Sequence, residues 1–156
     1  MTDEEFAQRV EAMRTQLYKT AMLYMGSHSL ALDALDEAVY KALCSHRRLR
    51  KPEYFNTWIT RILINECYNE LRRQQRFRPS DELSETAVEE YDYLPLKEAI
   101  RRLPKELKDV IILRYFSGFT LAETAGMLEI PQGTAATRQR KALKLLRLEL
   151  DEEVLK

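Results

Sequence analysis

Apolar residues in the first half of the chain recur at steps of three and four positions, which is the period of an amphipathic helix. The first run ends near Gly26, where a glycine favours a helix end. A second run follows a serine cap, at Ser27 or Ser29, and continues to about Ser45. A third run covers about residues 53–75. The first half is therefore predicted to form three amphipathic helices.

The helical period returns in the second half, after a segment that lacks it. Residues 96–103 predict a short helix, and Pro104 suits the first turn of the next one. That helix is expected to end at about Ser117, because Gly118 follows. The segment in between, residues 77–94, is acidic and rich in small polar residues, which is typical of a linker.

A short helix, a turn and a longer basic helix complete the chain. Thr120 with Glu123 three positions later is a capping box, and it predicts a helix over residues 121–128. Pro131 opens the last helix, which is expected to continue to about residue 150. Small residues that could pack between these two helices allow a close crossing, as a helix-turn-helix requires; they include Ala122, Ala125, Ala135 and Ala142, with Leu128 and Leu146 beside them.

Composition agrees with an all-α fold. The 156 residues include only 4 glycines and 5 prolines, and no series of alternating segments predicts strands. We therefore expect two small helical domains, residues 1–76 and 95–156, joined by a flexible acidic linker over residues 77–94.

Charge is balanced overall, with 25 basic and 25 acidic residues, but it is segregated along the chain. Residues 46–78 hold nine basic and three acidic side chains, and residues 130–150 hold five basic and one acidic. Residues 79–93 hold six acidic side chains and no basic one. Two basic blocks separated by an acidic one indicate two contacts with a polyanion.

One stripe of the third predicted helix combines flat and cationic side chains. Guanidinium groups hold phosphates, aromatic rings stack on bases and a carboxamide bonds base edges, so this stripe suits unpaired bases better than closed duplex. Its members are Trp58, Arg61, Asn65, Tyr68 and Arg72. A basic turn precedes it, and two aromatic residues follow the turn where an extruded base could be held; these residues are Arg47, Arg48, Arg50, Lys51, Tyr54 and Phe55. Taken singly, Trp58 can instead pack inward and Asn65 can simply face solvent.

The last predicted helix has a basic face opposite its small residues. A recognition helix places its N-terminal part in the major groove, where Arg and Lys bond guanine edges or phosphates. The candidates are Thr137, Arg138, Arg140, Lys141 and Lys144. The alternative is a solvated basic helix in a small helical bundle, which the capping box, the tight turn and the preceding pair of helices disfavour.

Other chemistry is poorly supported. The chain lacks a glycine-rich phosphate loop, an HExxH motif and a serine nucleophile elbow, so we expect no enzyme activity and no cofactor. A zinc site from His28, Cys44, His46 and Cys67 would need a ligand spacing that these residues do not have. The acidic start is not a signal peptide, and no apolar run suits a membrane helix. We expect a cytoplasmic protein with two reduced cysteines.

Two long motifs resemble those of a known family. The sequence FNTWITRILINECYNELRR, residues 55–73, resembles the second conserved region of bacterial RNA polymerase sigma factors. The sequence LPKELKDVIILRYFSGFTLAETAGMLEIPQGTAATRQRKAL, residues 103–143, resembles their fourth region. A chain with only these two regions is similar to the small extracytoplasmic-function sigma factors of the sigma-70 family.

That resemblance implies partners and roles. The first domain would bind a coiled coil of core RNA polymerase and capture the non-template strand of the minus-ten promoter element. Core binding would involve Asp33, Asp36, Glu37 and Tyr40. The second domain would bind the minus-thirty-five element as duplex and would also contact the polymerase flap; the resemblance adds Thr120 and Thr134 to the residues that bind this element. A membrane-bound anti-sigma factor is a further implied partner.

Some positions depart from the family pattern. The family usually has Gln where Asp36 stands, an aromatic residue at Val39, a basic residue at Ala136 and an apolar one at Gln139. The change at Ala136 affects the expected minus-thirty-five preference. The alternative interpretation is a sigma-like adaptor, or a regulator that binds only duplex DNA through its helix-turn-helix. Such a regulator has no use for the stripe between Trp58 and Arg72.

Overall fold

The computed structural model describes the backbone of residues 1–77 and 94–155, and the side chains of residues 1–76 and 95–147. Helices and turns account for the regular structure in these ranges, which contain no strand, so the all-α prediction is confirmed. The chain divides into two compact units, Met1–Ala87 and Val88–Lys156. Most of the predicted linker lies outside the described residues, and the domain limits at 76 and 95 stay predictions.

Three helices form the first unit: α1 (Asp3–Met25), α2 (His28–Ser45) and α3 (Phe55–Phe77). Of the two serines considered as caps, Ser27 caps α2, because its hydroxyl accepts the Leu30 N–H. Gly26 ends α1 with φ of 72°, a left-handed conformation that glycine adopts without a Cβ clash. A 3₁₀ turn, Pro52–Tyr54, leads into α3, so this helix starts slightly later than predicted.

The core of the first unit is lined by one face of each helix, but on α2 that face differs from the expected apolar run, because Leu32 and Leu43 are exposed. Leu17 and Ala21 of α1 and Ala31 and Ala42 of α2 are buried. On α3, the buried members are Ile59, Leu63, Ile64 and Cys67, whereas Ile62 and Leu71 are only half-buried. Small alanines on α2 let α3 approach closely, and the burial of these apolar surfaces stabilises the bundle.

Two glutamates of α3, Glu66 and Glu70, are also buried, which the sequence pattern did not predict. The Lys41 ammonium of α2 donates to the Glu66 carboxylate at 2.6 Å, and this hydrogen bond raises the pKa of Lys41. Arg73 lies 2.5 Å from the Glu70 carboxylate, and Gln74 donates to that carboxylate at 3.0 Å. Each buried charge is therefore paired, as low exposure to water requires.

The second unit contains α4 (Leu94–Arg102), α5 (Lys105–Ile111), α6 (Leu121–Leu128) and α7 (Gln132–Leu155). A π-helical turn, Ile112–Phe116, extends α5. The predicted capping box at Thr120 is confirmed, since Thr120 Oγ1 accepts from the Glu123 N–H and the Glu123 carboxylate accepts from the Thr120 N–H.

The packing between α6 and α7 agrees with the sequence on α7 but only partly on α6, where Leu128 is half-buried. Ala125, Ala135, Ala142 and Leu146 are buried as expected. Ala122 is exposed, and Thr124 and Met127 are buried beside Ala125 instead. The predicted apolar face of α6 was therefore rotated relative to the one that packs.

The turn between α6 and α7 depends on an unusual backbone conformation at Glu129. This residue has φ of 59° and ψ of 46°, a left-handed conformation that costs an L-residue about 1–2 kcal/mol. Its N–H donates to the Gly126 carbonyl, and the next N–H, of Ile130, donates to the Ala125 carbonyl. These two bonds are those of a Schellman motif, in which glycine is the preferred residue.

Replacement of this residue by glycine should stabilise the second unit. We expect Glu129→Gly to raise the unfolding free energy by about 1 kcal/mol, because glycine has no Cβ to clash in the left-handed conformation. Native-state hydrogen exchange of the α6 amides measures this change. Glu98→Gly, within α4, is the control and should destabilise by about 0.5–1 kcal/mol. A loss of α6 protection in Glu129→Gly would contradict the assignment of strain.

Candidate nucleic-acid interface

The basic turn, residues 46–54, is fixed at both ends against α1. His46, at its start, stacks on Phe6 with ring centroids 4.8 Å apart. Phe55, just after its end, meets the same Phe6 ring edge-on at 5.9 Å. The Arg9 guanidinium donates to the Pro52 carbonyl at 3.0 Å. With both ends held, the cations of the turn face outward, and all four are exposed: Arg47, Arg48, Arg50 and Lys51.

Phe55 does not have the role that the sequence suggested. Its ring is 1% exposed and lies beneath the Arg9 guanidinium, 5.7 Å from ring centroid to Cζ. A ring in the core offers no face to a base, so the expectation that Phe55 holds an extruded base is wrong. Tyr54 remains available, with 54% of its surface exposed and Lys51 Nζ 5.9 Å from its ring centroid.

The stripe on α3 is partly exposed and partly anchored. Arg61, Asn65 and Arg72 are exposed, and Arg72 donates to the Asn69 side chain. Trp58 is half-buried and tilted against Phe55, with centroids 5.7 Å apart. The stripe thus presents one amide and two guanidiniums to solvent, with a partly accessible indole at its start.

Tyr68 is half-buried, and its ring is held by a contact inside the first unit. Its ring packs edge-on against the buried Tyr24 of α1, with centroids 5.4 Å apart. This contact anchors α3 to α1. Because Tyr68 is half-buried and Tyr54 is 54% exposed, Tyr54 is the better stacking candidate.

A second surface lies on α2, where the residues expected to bind the polymerase share one exposed face: Asp33, Asp36, Glu37 and Tyr40. Tyr40 is 62% exposed, and the neighbouring Leu43 is 45% exposed. A hydrogen bond with the exposed Cys44 raises the pKa of the Tyr40 phenol. Acidic groups around exposed apolar side chains are typical of a protein-binding surface.

The predicted recognition face of α7 is accessible. Thr137, Arg140, Lys141 and Lys144 are exposed, whereas Thr134 and Arg138 are half-buried. Arg140 Nη2 donates to Thr137 Oγ1 at 3.3 Å, which orients the guanidinium along the helix. A groove of about 580 Å³ runs between this face and the start of α5 at Pro104–Leu107. Thr120 is exposed, but its hydroxyl already caps α6.

The four residues considered for zinc differ in their hydrogen-bond partners and in their burial. His28 Nδ1 lies 2.6 Å from the Tyr18 hydroxyl, and His46 Nε2 lies 2.7 Å from the Asp3 carboxylate. Cys67 is buried and Cys44 is exposed. In the ranges 1–77 and 94–155 no three His, Cys, Asp or Glu side chains form a group suited to a metal ion. Among the helices of these two ranges, none has both the length and the hydropathy needed to cross a bilayer.

These features define a class: a two-unit helical protein with a helix-turn-helix in one unit and an exposed cationic and aromatic surface in the other. Comparison with known families agrees. The family Sigma-70 region 2 matches residues 9–77, and Sigma-70, region 4 matches residues 93–146. The chain therefore belongs to the sigma-70 family of RNA polymerase sigma factors, in its extracytoplasmic-function (ECF) group, as the sequence motifs indicated.

Characterised relatives support the same assignment. The RNA polymerase sigma factor SigV of Bacillus subtilis is 34% identical over 147 residues, covering 91% of this chain and 89% of that protein. The ECF RNA polymerase sigma factor SigM of Mycobacterium tuberculosis is 27% identical over 142 residues, covering 88% of this chain and 72% of that one. The chain is a promoter-directing sigma factor, which is a transcription regulator.

Two solved structures share the fold. The sigma factor RpoE in complex with the anti-sigma factor NepR, from Bartonella quintana, has a TM-score of 0.83 at 23% identity, covering 95% of this chain and 98% of that one. CnrH in complex with the cytosolic domain of CnrY has a TM-score of 0.76 at 19% identity, covering 97% and 90%. At these identities the likeness establishes the fold alone.

The contact of Asp3 with the basic turn should make the first unit sensitive to acid. Hydrogen bonds from His46 and then from Arg47 hold the pKa of Asp3 below its ordinary value of 3.8. A lowered pKa in the folded state gives stability that is present above the unfolded pKa and is lost as pH falls through the folded pKa. Asp3→Asn should therefore flatten the loss of stability between about pH 5 and pH 3.

Urea unfolding followed by Trp58 fluorescence measures this effect, because the single Trp of the chain lies in the first unit. Glu4→Gln, at the next exposed position of α1, is the matched control and should leave the original slope. An unchanged pH slope in Asp3→Asn would mean that the Asp3 contact contributes nothing to stability.

Proposed function

We propose that this sigma factor binds core RNA polymerase through α2, holds the minus-ten element as a single strand on the first unit, and reads the minus-thirty-five element as duplex on the second. One observation carries this proposal. Exposed basic groups cluster on the turn and stripe of the first unit and again on α7 of the second, although others lie elsewhere. Only a ligand with two anionic parts uses both.

The first unit suits unpaired DNA because its surface mixes ring, amide and guanidinium groups. Tyr54 offers a ring face, and stacking of a base on an aromatic side chain is worth about 1–3 kcal/mol. Asn65 can bond a base edge, while Arg61 and the basic turn hold phosphates. Together these contacts offset the free energy of unstacking an A·T-rich element.

The second unit suits closed duplex because a single helix presents its reading groups. Arg140 and Lys141 are exposed one after the other on α7, and Lys144 follows one turn later. On a recognition helix in the major groove, the first two would reach base edges and Lys144 would meet a phosphate. Ala136 offers no long side chain, so bases near it would be read through apolar contact or not at all.

Two further assignments follow from the partners bound in the similar structures. RpoE and CnrH are each bound to a second protein, NepR and the cytosolic domain of CnrY. By analogy, an anti-sigma factor would hold this chain inactive in the cytoplasm. A partner with a cytosolic domain, like CnrY, suggests that this anti-sigma factor is membrane-bound. Release would let it join the polymerase at the nucleoid.

The proposed function as a whole is tested by complex formation. The full chain and core polymerase are mixed with labelled non-template or template single strands of an A·T-rich promoter. A sigma factor that captures the non-template strand gives a complex with that strand only. Equal binding of both strands, or of neither, would favour the adaptor or the duplex-only regulator.

Loss of the reading groups on the first unit should impair promoter opening. We expect Asn65→Ala and Tyr54→Ala each to cost about 1–3 kcal/mol in open-complex formation, because a base loses its hydrogen bond or its stacking partner. Permanganate reactivity of unpaired thymines reports opening, and binding to an isolated minus-thirty-five duplex should stay unchanged. Arg14→Ala, exposed on α1, is the control. Normal opening in both variants would remove the stripe and turn from the proposal.

Loss of the reading groups on α7 should have two separable effects. Arg140→Ala should cost about 1–3 kcal/mol on the preferred minus-thirty-five duplex and relax the preference at one base pair. Lys144→Ala should weaken all duplexes alike and lower the salt slope of binding by about 1. Fluorescence anisotropy titrations over a salt series distinguish the two outcomes. Equal losses on preferred and scrambled duplex in Arg140→Ala would make Arg140 a phosphate contact.

A further inference from the structure

Arg114 links three parts of the second unit through one half-buried side chain. Its Nε donates to Gln139 Oε1 of α7 at 3.0 Å. Its Nη1 donates to the carbonyl of Phe119, in the loop before α6, also at 3.0 Å. Its Cζ lies 5.4 Å from the ring centroid of Tyr115. The guanidinium therefore joins the end of α5, the entry to α6 and the middle of α7.

The π-helical turn places Arg114 where it can make these bonds. The Ser117 N–H donates to the Ile112 carbonyl, five residues back, at 2.9 Å, and the Phe119 N–H donates to the Leu113 carbonyl at 3.0 Å. Gly118, with φ of 81°, then reverses the chain and brings Phe119 back beside the turn. Wide turns of this kind are frequent at functional positions, because they change where side chains point.

Gln139 is the directional contact on the buried side of α7. The buried side chains beside it on α7, Ala135, Ala142 and Leu146, are apolar and make only nondirectional contacts. Such contacts resist separation, but they constrain rotation of a helix weakly, whereas a hydrogen bond has a preferred distance and angle. The next residue, Arg140, faces solvent about 100° further around the helix.

We propose that Arg114 and Gln139 are positioning residues for DNA reading: the hydrogen bond between them fixes the rotation of α7 about its axis, and so the direction in which Arg140 meets the base edges. This inference rests on the proposed reading of the minus-thirty-five element by α7. It predicts that loss of the bond lowers sequence discrimination more than total binding, because phosphate contacts tolerate a small rotation and bidentate base contacts do not.

The test measures the ratio of affinities for two duplexes in holoenzyme made from core polymerase and the full chain. One duplex is selected by the unmodified chain from a randomised pool of upstream elements, and the other has the same composition in scrambled order. Gln139→Leu, which removes the acceptor and keeps the bulk, should lower the ratio about tenfold, within the range expected for one misread base pair. Its affinity for the scrambled duplex should stay within about twofold.

Gln139→Glu separates positioning from stability. Its carboxylate still accepts from Arg114, so the ratio should return to the unmodified value. The added negative charge lowers affinity for both duplexes alike and therefore cancels in the ratio. Gln74→Leu, a half-buried glutamine of the first unit, is the matched control and should leave the ratio unchanged. A ratio that follows the thermal stability of each variant, with no recovery in Gln139→Glu, would overturn the positioning role.

Selection by the unmodified chain distinguishes failure of the proposed function from failure of the positioning role. If it enriches no sequence from the pool, the proposed function fails, and the positioning role with it. If it enriches a sequence and Gln139→Leu keeps the full ratio, only the positioning role fails. Should Gln139→Leu unfold at the assay temperature, Arg114→Lys replaces it, since lysine lacks the fork that reaches two acceptors, and the same fall in the ratio is expected.

Discussion

The exposed cations of the first unit depend on the burial of one aromatic side chain, Phe6. Its ring contacts both ends of the basic turn, through His46 at the start and Phe55 at the end. Because these ends are held in the core, the residues between them have no room to turn inward, and their charges stay in water. Desolvation of four cations would cost far more than the turn could recover, so the apolar anchors and the charged surface require one another.

In the second unit, polar contacts hold the helix that carries the exposed cations. A helix-turn-helix needs two helices to cross closely, so little apolar surface is available at the crossing, and alanines fill it on α7. Directional contacts fix the orientation of the two helices instead. They are the capping box at Thr120, the left-handed turn at Glu129 and the hydrogen bond from Arg114 to Gln139. The half-buried Gln139 is tolerated at this position because the Arg114 guanidinium satisfies its carbonyl oxygen.

Local signals predicted the helices, and long-range contacts account for what the sequence did not predict. Ser27 and Thr120 act on amides three residues away, so their caps are visible in sequence. The sequence around Phe55 does not indicate whether its ring is buried or exposed. Its burial depends on contact with Phe6, which lies 49 positions earlier in the chain. Glu66 belongs to a basic helix, and in its buried position it is paired with Lys41 of another helix, which no local signal shows. The α7 face was predictable because periodicity alone separates its small residues from its cations.

The balanced charge of the chain constrains how its surfaces can find DNA. With 25 charges of each sign, the far field is weak, and beyond a Debye length of about 8 Å salt screens what remains. Attraction to phosphates is therefore local to the basic turn and to α7, and each of these surfaces alone holds only a few cations. Two weak sites in one chain gain affinity only when something fixes both against the same promoter, because the second contact then forms at high effective concentration. A polymerase that binds the acidic face of α2 would supply that constraint, and it explains why neither DNA surface needs to bind tightly by itself.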